Sequence, residues 1–238
     1  MLMNAMLAET AAELIDSMES AVLPRFVPAG RRADLADRDT VLMPWHDLTI
    51  SFYLPFPQAE SEDRTASIVI TNKLLTGRHL SVDELFACAL QNLTAASYLA
   101  PFPEILNSLT RLIGSEFLPP SCEEPPVPVW FVSNRQKCFG ASAILCPEVI
   151  RELHEHLGER FMILPASVHE VLCLSPDDDD APARYSDMVR EINDQVVEPA
   201  ERLSDHVYLC TDGIVTSYER AERVRRPRRR HRQEYCRA

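Results

Sequence analysis

The four-residue segment Ser167-Val168-His169-Glu170 contains a hydroxyl, an imidazole and a carboxyl group, which are the side chains that hydrolytic chemistry uses. Adjacent imidazole and carboxyl groups suit general acid–base work, and a serine two residues before a histidine could act as a nucleophile with that histidine as its base. Asp205 is the candidate third member of such a set. Ser167, His169 and Asp205 are therefore the candidate catalytic residues of a hydrolase.

The local pattern argues against that hydrolase. The apolar run Val168–Leu174 predicts an extended strand in the middle of a covered sheet. Successive side chains of a strand point to opposite faces, so His169 would share a face with Ser167 while Glu170 would face the other way. No GxSxG nucleophile elbow is present. The alternative is structural: Ser167 and His169 satisfy backbone groups where the strand begins, and Glu170 pairs with a basic side chain.

A second candidate site is the predicted turn from Asn134 to Gly140. Arg135 and Lys137 form a basic island in an acidic chain, and the backbone N–H groups of a turn can bind an anion. Asn134, Arg135 and Lys137 are therefore candidate ligand- or anion-binding residues. The alternative is an ordinary turn whose basic side chains are solvated.

Metal and cofactor chemistry have little support in the sequence. His154 and His156 are two residues apart on a predicted helix and so face different ways. The Asp177–Asp180 run lacks the alternating ligands, the glycine and the distal glutamate of a calcium loop. Walker A and GxGxxG motifs are missing from the sequence. We predict no metal site and no cofactor.

The charge is unevenly distributed along the chain. The net charge is −12, but from Arg220 onward nine arginines face two glutamates, about +7, so the preceding body carries about −19. Such a body repels nucleic-acid phosphates and favours basic partners or solubility. The tail could contact nucleic acid or an acidic partner, or fold back onto the acidic body, and we rank the last of these first.

The cysteines and the hydropathy of the chain predict the cellular compartment of the protein. The seven cysteines form no CxxC pair, and several lie in apolar runs, which predicts free thiols in a reducing cytoplasm. The first residues lack a basic segment typical of a signal peptide, and no uncharged run approaches the roughly 18 residues of a membrane span. We therefore expect a cytoplasmic protein without a membrane partner.

The order of predicted elements indicates an α+β fold. Two halves, each containing a strand–strand–helix unit, would form mixed sheets covered by helices. The predicted divisions are an N-terminal amphipathic helix and loop (1–40), a first half (41–118), a proline-rich linker (119–128), a second half (129–218) and an arginine-rich tail predicted to be disordered (219–238).

Within the first half, the predicted strands Leu48–Phe56 and Thr65–Leu75 form a hairpin. Ser81 and Glu84 form a capping box that starts a helix ending near Tyr98. Three further segments complete the predictions for residues 1–118: an amphipathic helix ending before Pro24, a loop over Arg25–Asp39 and a short helix over Pro103–Ile113.

The second half alternates short strands with two helices. Val129–Ser133 and Ala141–Leu145 are predicted as a strand and its return strand, and Pro147 begins a helix that ends at Gly158. The remaining predicted elements are a strand over Phe161–Leu164, the strand Val168–Leu174, a helix over residues 185–196 and a closing strand over His206–Cys210.

Several long stretches resemble a known family. They read HDLTISFYLPF, ASIVITNKLL and LSVDELFACALQNL, then SNRQKCFGASAILCPEVIRELHEHLGERFMILPASVHEVLCL, YSDMVREIN and LSDHVY. They are similar to an uncharacterised bacterial domain-of-unknown-function family, frequent in gut Firmicutes, with patterns such as TNKQKxxGAA, YILPSSxHEV, MVxEVN and LSDxVY. The resemblance covers Leu42 to Tyr208, and YtpQ-like proteins are more distantly similar. It implies an α+β fold and no established activity.

Three function classes remain open. The first, which we prefer, is a non-enzymatic module that binds or regulates an as yet unidentified protein partner. The second is an acidic mobile-element accessory protein that blocks a basic nucleic-acid-binding surface. The third is a hydrolase built on Ser167 and His169.

Overall fold

The computed structural model describes residues 2–56, 66–105 and 127–218. The predicted hairpin connection, most of the proline-rich linker and the arginine-rich tail lie outside these ranges. The helices are α1 (Leu2–Asp16), α2 (Met18–Ala21), α3 (Arg32–Asp37), α4 (Asn72–Gly77), α5 (Val82–Ala96), α6 (Pro147–Leu157) and α7 (Ala181–Gln195). The strands are β1 (Leu23–Val27), β2 (Leu42–Trp45), β3 (Leu48–Pro55), β4 (Ser67–Val69), β5 (Ser97–Pro101), β6 (Val129–Asn134), β7 (Arg160–Pro165), β8 (Val171–Leu174), β9 (Tyr208–Thr211) and β10 (Ile214–Ser217).

The first sheet is built around β3. Strand β3 pairs with β1 on one side and with β2 and β4 on the other, always antiparallel. All of its residues from Leu48 to Leu54 are buried, which is typical of a central strand covered on both faces. The pairing of β3 with β4 confirms the predicted hairpin, and β3 ends at Pro55, one residue before the predicted end.

The second sheet has six strands in the order β10-β9-β7-β8-β6-β5, and its pairings are also antiparallel. Strand β7 presents alternating side chains to two apolar clusters: Phe161 and Ile163 lie in the main core, while Met162 and Leu164 lie in a second cluster. Helix α6 contributes to the main core and α7 to the second cluster. Helices therefore cover antiparallel sheets, and the α+β prediction is confirmed.

The predicted loop over Arg25–Asp39 is wrong. It contains most of β1, a 3₁₀ turn at Ala29–Arg31 and helix α3. Pro24 hides the strand in the sequence, because proline cannot donate a hydrogen bond to a neighbouring strand. Among the described strands, β1 pairs with β3 alone and so lies at an edge of the sheet, and edge strands tolerate proline.

The predicted strand Thr65–Leu75 is correct only in its middle. Strand β4 spans Ser67–Val69, and the chain then turns into α4 because the Thr71 side chain accepts a hydrogen bond from the Leu74 amide, which caps the new helix. After α5, the chain enters β5 at Ser97 and pairs with β6, a strand that the helical prediction up to Tyr98 missed. Residues 102–105 are helical, and most of the predicted helix Pro103–Ile113 lies outside the described residues.

The predicted return strand Ala141–Leu145 is also wrong, since Gly140–Leu145 forms a 3₁₀ helix. Its small residues are buried, and the Ser142 hydroxyl donates to the carbonyl oxygens of Pro24 (2.8 Å) and Phe139 (3.0 Å). A short apolar run does not show whether its buried residues repeat with the period of a strand or of a helix, so the sequence did not distinguish the two. Here the hydroxyl ties a compact turn of helix to the first sheet.

The N-terminal helical segment packs on the body. Met18 and Val22 are buried, and Leu14 and Ile15 pack against the main core. The helix is interrupted at Ser17 rather than continuous, and the Ser17 hydroxyl donates to the Glu13 carbonyl at 2.9 Å, a type of side-chain bond that often bends helices. No helix in the described part of the chain is both long and apolar enough to span a membrane.

The capping box of α5 gives a test of local stability. The Ser81 hydroxyl accepts from the Glu84 amide at 3.2 Å, and the Glu84 carboxylate accepts from the Ser81 amide at 2.8 Å. We expect Ser81→Ala to lower the free energy of unfolding by about 1 kcal/mol, measured by urea denaturation. Glu84→Gln keeps an acceptor at this position and should cost less, so an equal loss in both variants would contradict this account.

Candidate functional site

The turn between β6 and the 3₁₀ helix is closed by one buried side chain. The Asn134 amide donates to the Cys138 carbonyl at 2.6 Å and accepts from the Cys138 amide at 3.1 Å. Lys137 and Phe139 both adopt left-handed backbone conformations, with φ of 52° and 54°. The predicted turn is therefore present, and the amide of Asn134 is occupied in shaping it.

Arg135 and Lys137 are exposed on this turn. They stay predicted anion-binding residues, but the Asn134 side chain that was grouped with them faces its own backbone. The backbone amide of Arg135 donates to the Ala96 carbonyl at 2.9 Å, so it is also unavailable to a ligand. Any anion held here would contact the two exposed cationic side chains rather than a ring of turn amides.

Strand β8 begins at Val171, three residues later than predicted. The Ser167 hydroxyl donates to the Glu170 carboxylate at 2.8 Å and accepts from the His169 amide at 3.0 Å. Serine side chains that bond to the chain two or three residues onward favour turns over strands. The bend over Ser167–Glu170 replaces the predicted strand alternation, while Val171–Leu174 is covered on both faces as predicted.

His169 is fixed by the turn described above. Its Nδ1 atom accepts from the Phe139 amide at 3.2 Å, and its ring stacks on the Phe139 ring with centroids 5.6 Å apart. Its Nε2 atom lies 3.5 Å from the Glu201 carboxylate. Because Nδ1 accepts, a neutral His169 carries its proton on Nε2, facing Glu201.

The side chains around His169 raise its pKa, although a proton on Nδ1 would remove the hydrogen bond from the Phe139 amide. A hydrogen bond with the Cys138 side chain raises the pKa of His169, and the Glu201 and Glu170 carboxylates act in the same direction against partial burial. The His169 ring thus interacts with Cys138, Phe139 and Glu201, and these four residues form the cluster around His169. Its carbonyl oxygen also accepts from the Ser133 hydroxyl at 2.7 Å.

The three candidate catalytic residues have separate partners. The Ser167 hydroxyl donates to Glu170 rather than to an imidazole nitrogen. Asp205 accepts from the Asn193 side chain at 2.9 Å. Ser167 and His169 therefore satisfy backbone amides, which is the structural role that the sequence also offered, whereas Glu170 bonds to a serine.

Beside Phe139 lies a cavity of about 170 Å³ that the sequence did not predict. Three arginines line it: Arg25 from β1, Arg31 from the 3₁₀ turn and Arg38 from the end of α3. The other lining residues are apolar, among them Phe139 and Val168, and none of the described lining residues is acidic. We call this cavity the arginine pocket.

Arg25 is held in a fixed position at this pocket. Its guanidinium lies 4.8 Å from the centre of the Phe139 ring and 5.5 Å from that of Tyr53, and its Nε atom donates to the Ser51 hydroxyl at 3.1 Å. Both ring contacts are cation–π interactions. Burial lowers the pKa of Arg25, and the neighbouring positive charge of Arg31 acts in the same direction.

The described lining of the arginine pocket therefore has positive charges and no negative charge, and a bound anion would supply one. Bringing guanidinium groups together and partly desolvating one of them costs free energy unless a negative charge joins them. A carboxylate or phosphate would receive charge-assisted hydrogen bonds of the kind that arginine forms well. The sequence shows a group of arginines between residues 25 and 38. It does not show that their side chains meet, because that depends on β1 and α3, which lie mostly in the segment predicted as a loop.

Metal binding finds no support at these residues. Among the residues that the structure describes, no group of three or more histidine, cysteine, aspartate and glutamate side chains is placed to hold an ion.

Comparisons with known proteins give one match. Neither the curated proteins nor the solved structures contain a significant match. The model of a family described as "Family of unknown function (DUF5688)" matches residues 7–211, which extends beyond the Leu42–Tyr208 region of the predicted resemblance to include the N-terminal helices. The resemblance to a domain-of-unknown-function family is confirmed, and the chain belongs to DUF5688.

Proposed function

We propose that this protein is a non-enzymatic binding module whose arginine pocket receives an anionic group of a protein partner. The observation that carries the proposal is the convergence of Arg25, Arg31 and Arg38 on one cavity whose described lining contains no acidic residue. The rest of the chain before the tail is strongly acidic, so the pocket is a local cationic site in an acidic body and not part of a general basic surface.

The size of the pocket favours a side-chain group over a whole metabolite. Small-molecule sites usually enclose about 300–1,000 Å³, whereas the arginine pocket encloses about 170 Å³. A carboxylate or phosphate at the end of a side chain fits that volume, and the remaining contacts would come from the surrounding surface of the partner. This suits a protein-binding or regulatory role.

The pocket is also preorganised. Ser51, Tyr53 and Phe139 hold the Arg25 guanidinium, and Phe139 is in turn fixed by stacking and hydrogen bonding to His169. A cation that is already oriented loses less conformational entropy on binding. Under this proposal, the cluster around His169 is a positioning device for the pocket, and its imidazole does not serve as a catalytic base.

The proposal is tested by titrating the full chain with four peptides of one sequence that differ at their charged positions. The peptides carry glutamate, phosphoserine, glutamine or lysine, and backbone NMR shifts near Phe139 and Val168 report binding. We expect the glutamate or phosphoserine peptide to bind and the glutamine peptide to bind at least about tenfold more weakly, since a charge-assisted hydrogen bond contributes about 1.5–3 kcal/mol. The ratio between the first two peptides distinguishes a carboxylate from a phosphate ligand.

Variants assign the binding to the pocket. Arg25→Gln is expected to weaken binding of the anionic peptide by about tenfold or more. Arg31→Gln and Arg38→Gln, which remove exposed side chains, should weaken it without a risk to folding. The matched control is Arg135→Gln on the turn. If Arg135→Gln abolishes binding while the pocket variants do not, the anion site is the turn and the pocket proposal is wrong.

The lysine peptide tests the alternative function. Preferential binding of that peptide, weakening steeply with salt, would support an acidic protein that covers a basic nucleic-acid-binding surface. It would also contradict the arginine pocket as the main recognition site. The absence of binding by all four peptides would contradict both.

A further inference from the structure

A second, larger cavity lies where the two sheets meet. Its volume is about 520 Å³, and it is walled by the turn between β2 and β3, the start of helix α6 and the β9–β10 hairpin. This volume falls within the range of small-molecule sites. None of its lining residues lines the arginine pocket, so this cavity is an independent feature of the fold.

One wall of the cavity is an indole ring in a fixed orientation. The Trp45 ring contacts the rings of Phe26, Tyr208 and His46, with centroids 5.1, 5.3 and 4.5 Å away. His46 adopts a left-handed backbone conformation with φ of 50°, which is uncommon for a residue other than glycine and carries a conformational cost. The turn therefore places the rings of Trp45 and His46 at the cavity, with the His46 backbone in an unfavourable conformation.

The remaining surface is apolar on one side and carries basic side chains on the other. The aliphatic lining comes from Ile144, Leu145, Ile150 and Val215, together with Pro147. Arg151 and His154 also line the cavity, and residues three apart on a helix share a face. Within the described ranges, no carboxylate lies within 4.0 Å of the Arg151 guanidinium.

Asp212 places a carboxylate on the hairpin side of the cavity. A ligand with its negative charge directed to the α6 side and its apolar part against Trp45 would satisfy this distribution. A neutral apolar ligand would leave Arg151 without a partner, and a fully polar ligand would leave the indole and aliphatic walls against water. The chemistry therefore selects an amphipathic anion.

We infer that this cavity binds a small amphipathic carboxylate, with the carboxylate on Arg151 and His154 and the hydrocarbon part against Trp45. Sites of this type combine a mostly apolar lining with a few polar groups that fix orientation. An arginine is well suited to the carboxylate because its guanidinium can bind both oxygens. The inference concerns a ligand of this family member beyond the protein partner proposed for the arginine pocket.

The fluorescence of Trp45 provides a direct measurement. The chain has two tryptophans, and the second, Trp130, stacks on His156 with centroids 4.0 Å apart, outside the cavity lining. In full-length protein carrying Trp130→Phe, titration with octanoate below its micellar concentration should change the Trp45 emission saturably. Octanol, which has the same chain without the charge, should bind at least about fivefold more weakly, as expected for loss of a charge-assisted contact.

Variants separate this result from non-specific adsorption. Arg151→Gln removes an exposed side chain and should weaken octanoate binding by at least about fivefold. Arg190→Gln, an exposed arginine on α7, is the matched control and should leave it unchanged. Equal binding of octanol and octanoate, equal binding by both variants, or a linear unsaturable response would overturn the inference. Because the arginine pocket is untouched, peptide binding in the same variants reports on the proposed function separately.

Discussion

Replacing Gly140 with alanine is expected to lower the free energy of unfolding by at least about 3 kcal/mol, an effect in the range of severe overpacking. A Cβ atom at this position would lie 2.3 Å from both the Asn134 backbone nitrogen and the Ser133 hydroxyl, and 2.8 Å from the His169 carbonyl oxygen. Two of these three neighbours are backbone atoms. The clash can therefore be relieved only by shifting the Gly140 backbone away from both the end of β6 and the Ser167–Glu170 bend.

The added Cβ would also disturb a contact between β6 and that bend, because it would lie against both partners of the contact. The Ser133 hydroxyl donates to the His169 carbonyl at 2.7 Å, and separating them would leave buried polar groups unpaired, which adds about 1–3 kcal/mol. Gly140→Ala should also reduce binding of the anionic peptide, because the turn carries the Phe139 ring beneath Arg25. Loss of stability and loss of binding are therefore expected together.

Urea denaturation followed by circular dichroism measures the change in stability. The matched control is Gly77→Ala at the end of α4, where an added Cβ would meet nothing within 4 Å and alanine favours the helix. That variant should be neutral or slightly stabilising. A Gly140→Ala protein within about 1 kcal/mol of the wild type would show that the turn moves freely and that the turn–bend contact is not rigid.

Asp47→Ala is expected to lower the free energy of unfolding by about 2–3 kcal/mol at neutral pH, because it removes an ionised acceptor from a shared network. The Asp47 carboxylate accepts from the Tyr208 hydroxyl at 2.7 Å and from the Ser204 hydroxyl at 3.1 Å, and it lies 3.5 Å from Nε2 of His206. These contacts link the turn between β2 and β3 to the segment that enters β9. Asp47 thus joins the two sheets.

The effect should depend on pH with a definite sign. Burial by itself would raise the pKa of Asp47, but hydrogen bonds with His206 and Tyr208 outweigh it and lower the pKa to about 2. A carboxyl with a depressed pKa stabilises the folded state above its ordinary pKa near 3.8 and loses that contribution as the pH falls towards 2. Since the group is partly exposed, screening reduces this pH-dependent part to about 1 kcal/mol.

The measurement compares wild type and Asp47→Ala by urea denaturation at several pH values between 2 and 7. The difference in stability should be largest above pH 4 and should shrink by about 1 kcal/mol as the pH approaches 2. Asp37→Ala, at an exposed position on α3, should remain within about 0.5 kcal/mol throughout. A constant difference for Asp47→Ala across the range would mean that its hydrogen bonds do not depend on ionisation.

Elements with local signals were predicted well. The capping box at Ser81 and Glu84 placed the start of α5, and Pro147 and Gly158 bounded α6. Helix α6 buries Val149, Ile150, Leu153 and Leu157, at the spacing of one helical face. Capping, fixed proline geometry and helical periodicity act between residues a few positions apart, so they are visible in one stretch of sequence.

Elements that depend on a distant partner were predicted poorly. Strand β1 contains Pro24 and exists because β3 pairs with it, and β5 leaves the end of α5 because β6 is available. The segment Gly140–Leu145 is helical because Ser142 bonds to Pro24, a residue more than a hundred positions earlier. A short apolar run is compatible with strand or helix, and only the partner selects between them.

The sequence by itself determined the α+β class, the family resemblance and the contrast between an acidic body and a basic tail, because composition and local periodicity carry that information. The tertiary structure decided which charged residues meet. It directed the Ser167 hydroxyl to Glu170 and placed Arg25, Arg31 and Arg38 around one cavity. The physical reason is that electrostatic and hydrogen-bond energies depend on distances of a few ångströms, which chain positions far apart in sequence acquire only when the sheets and helices pack.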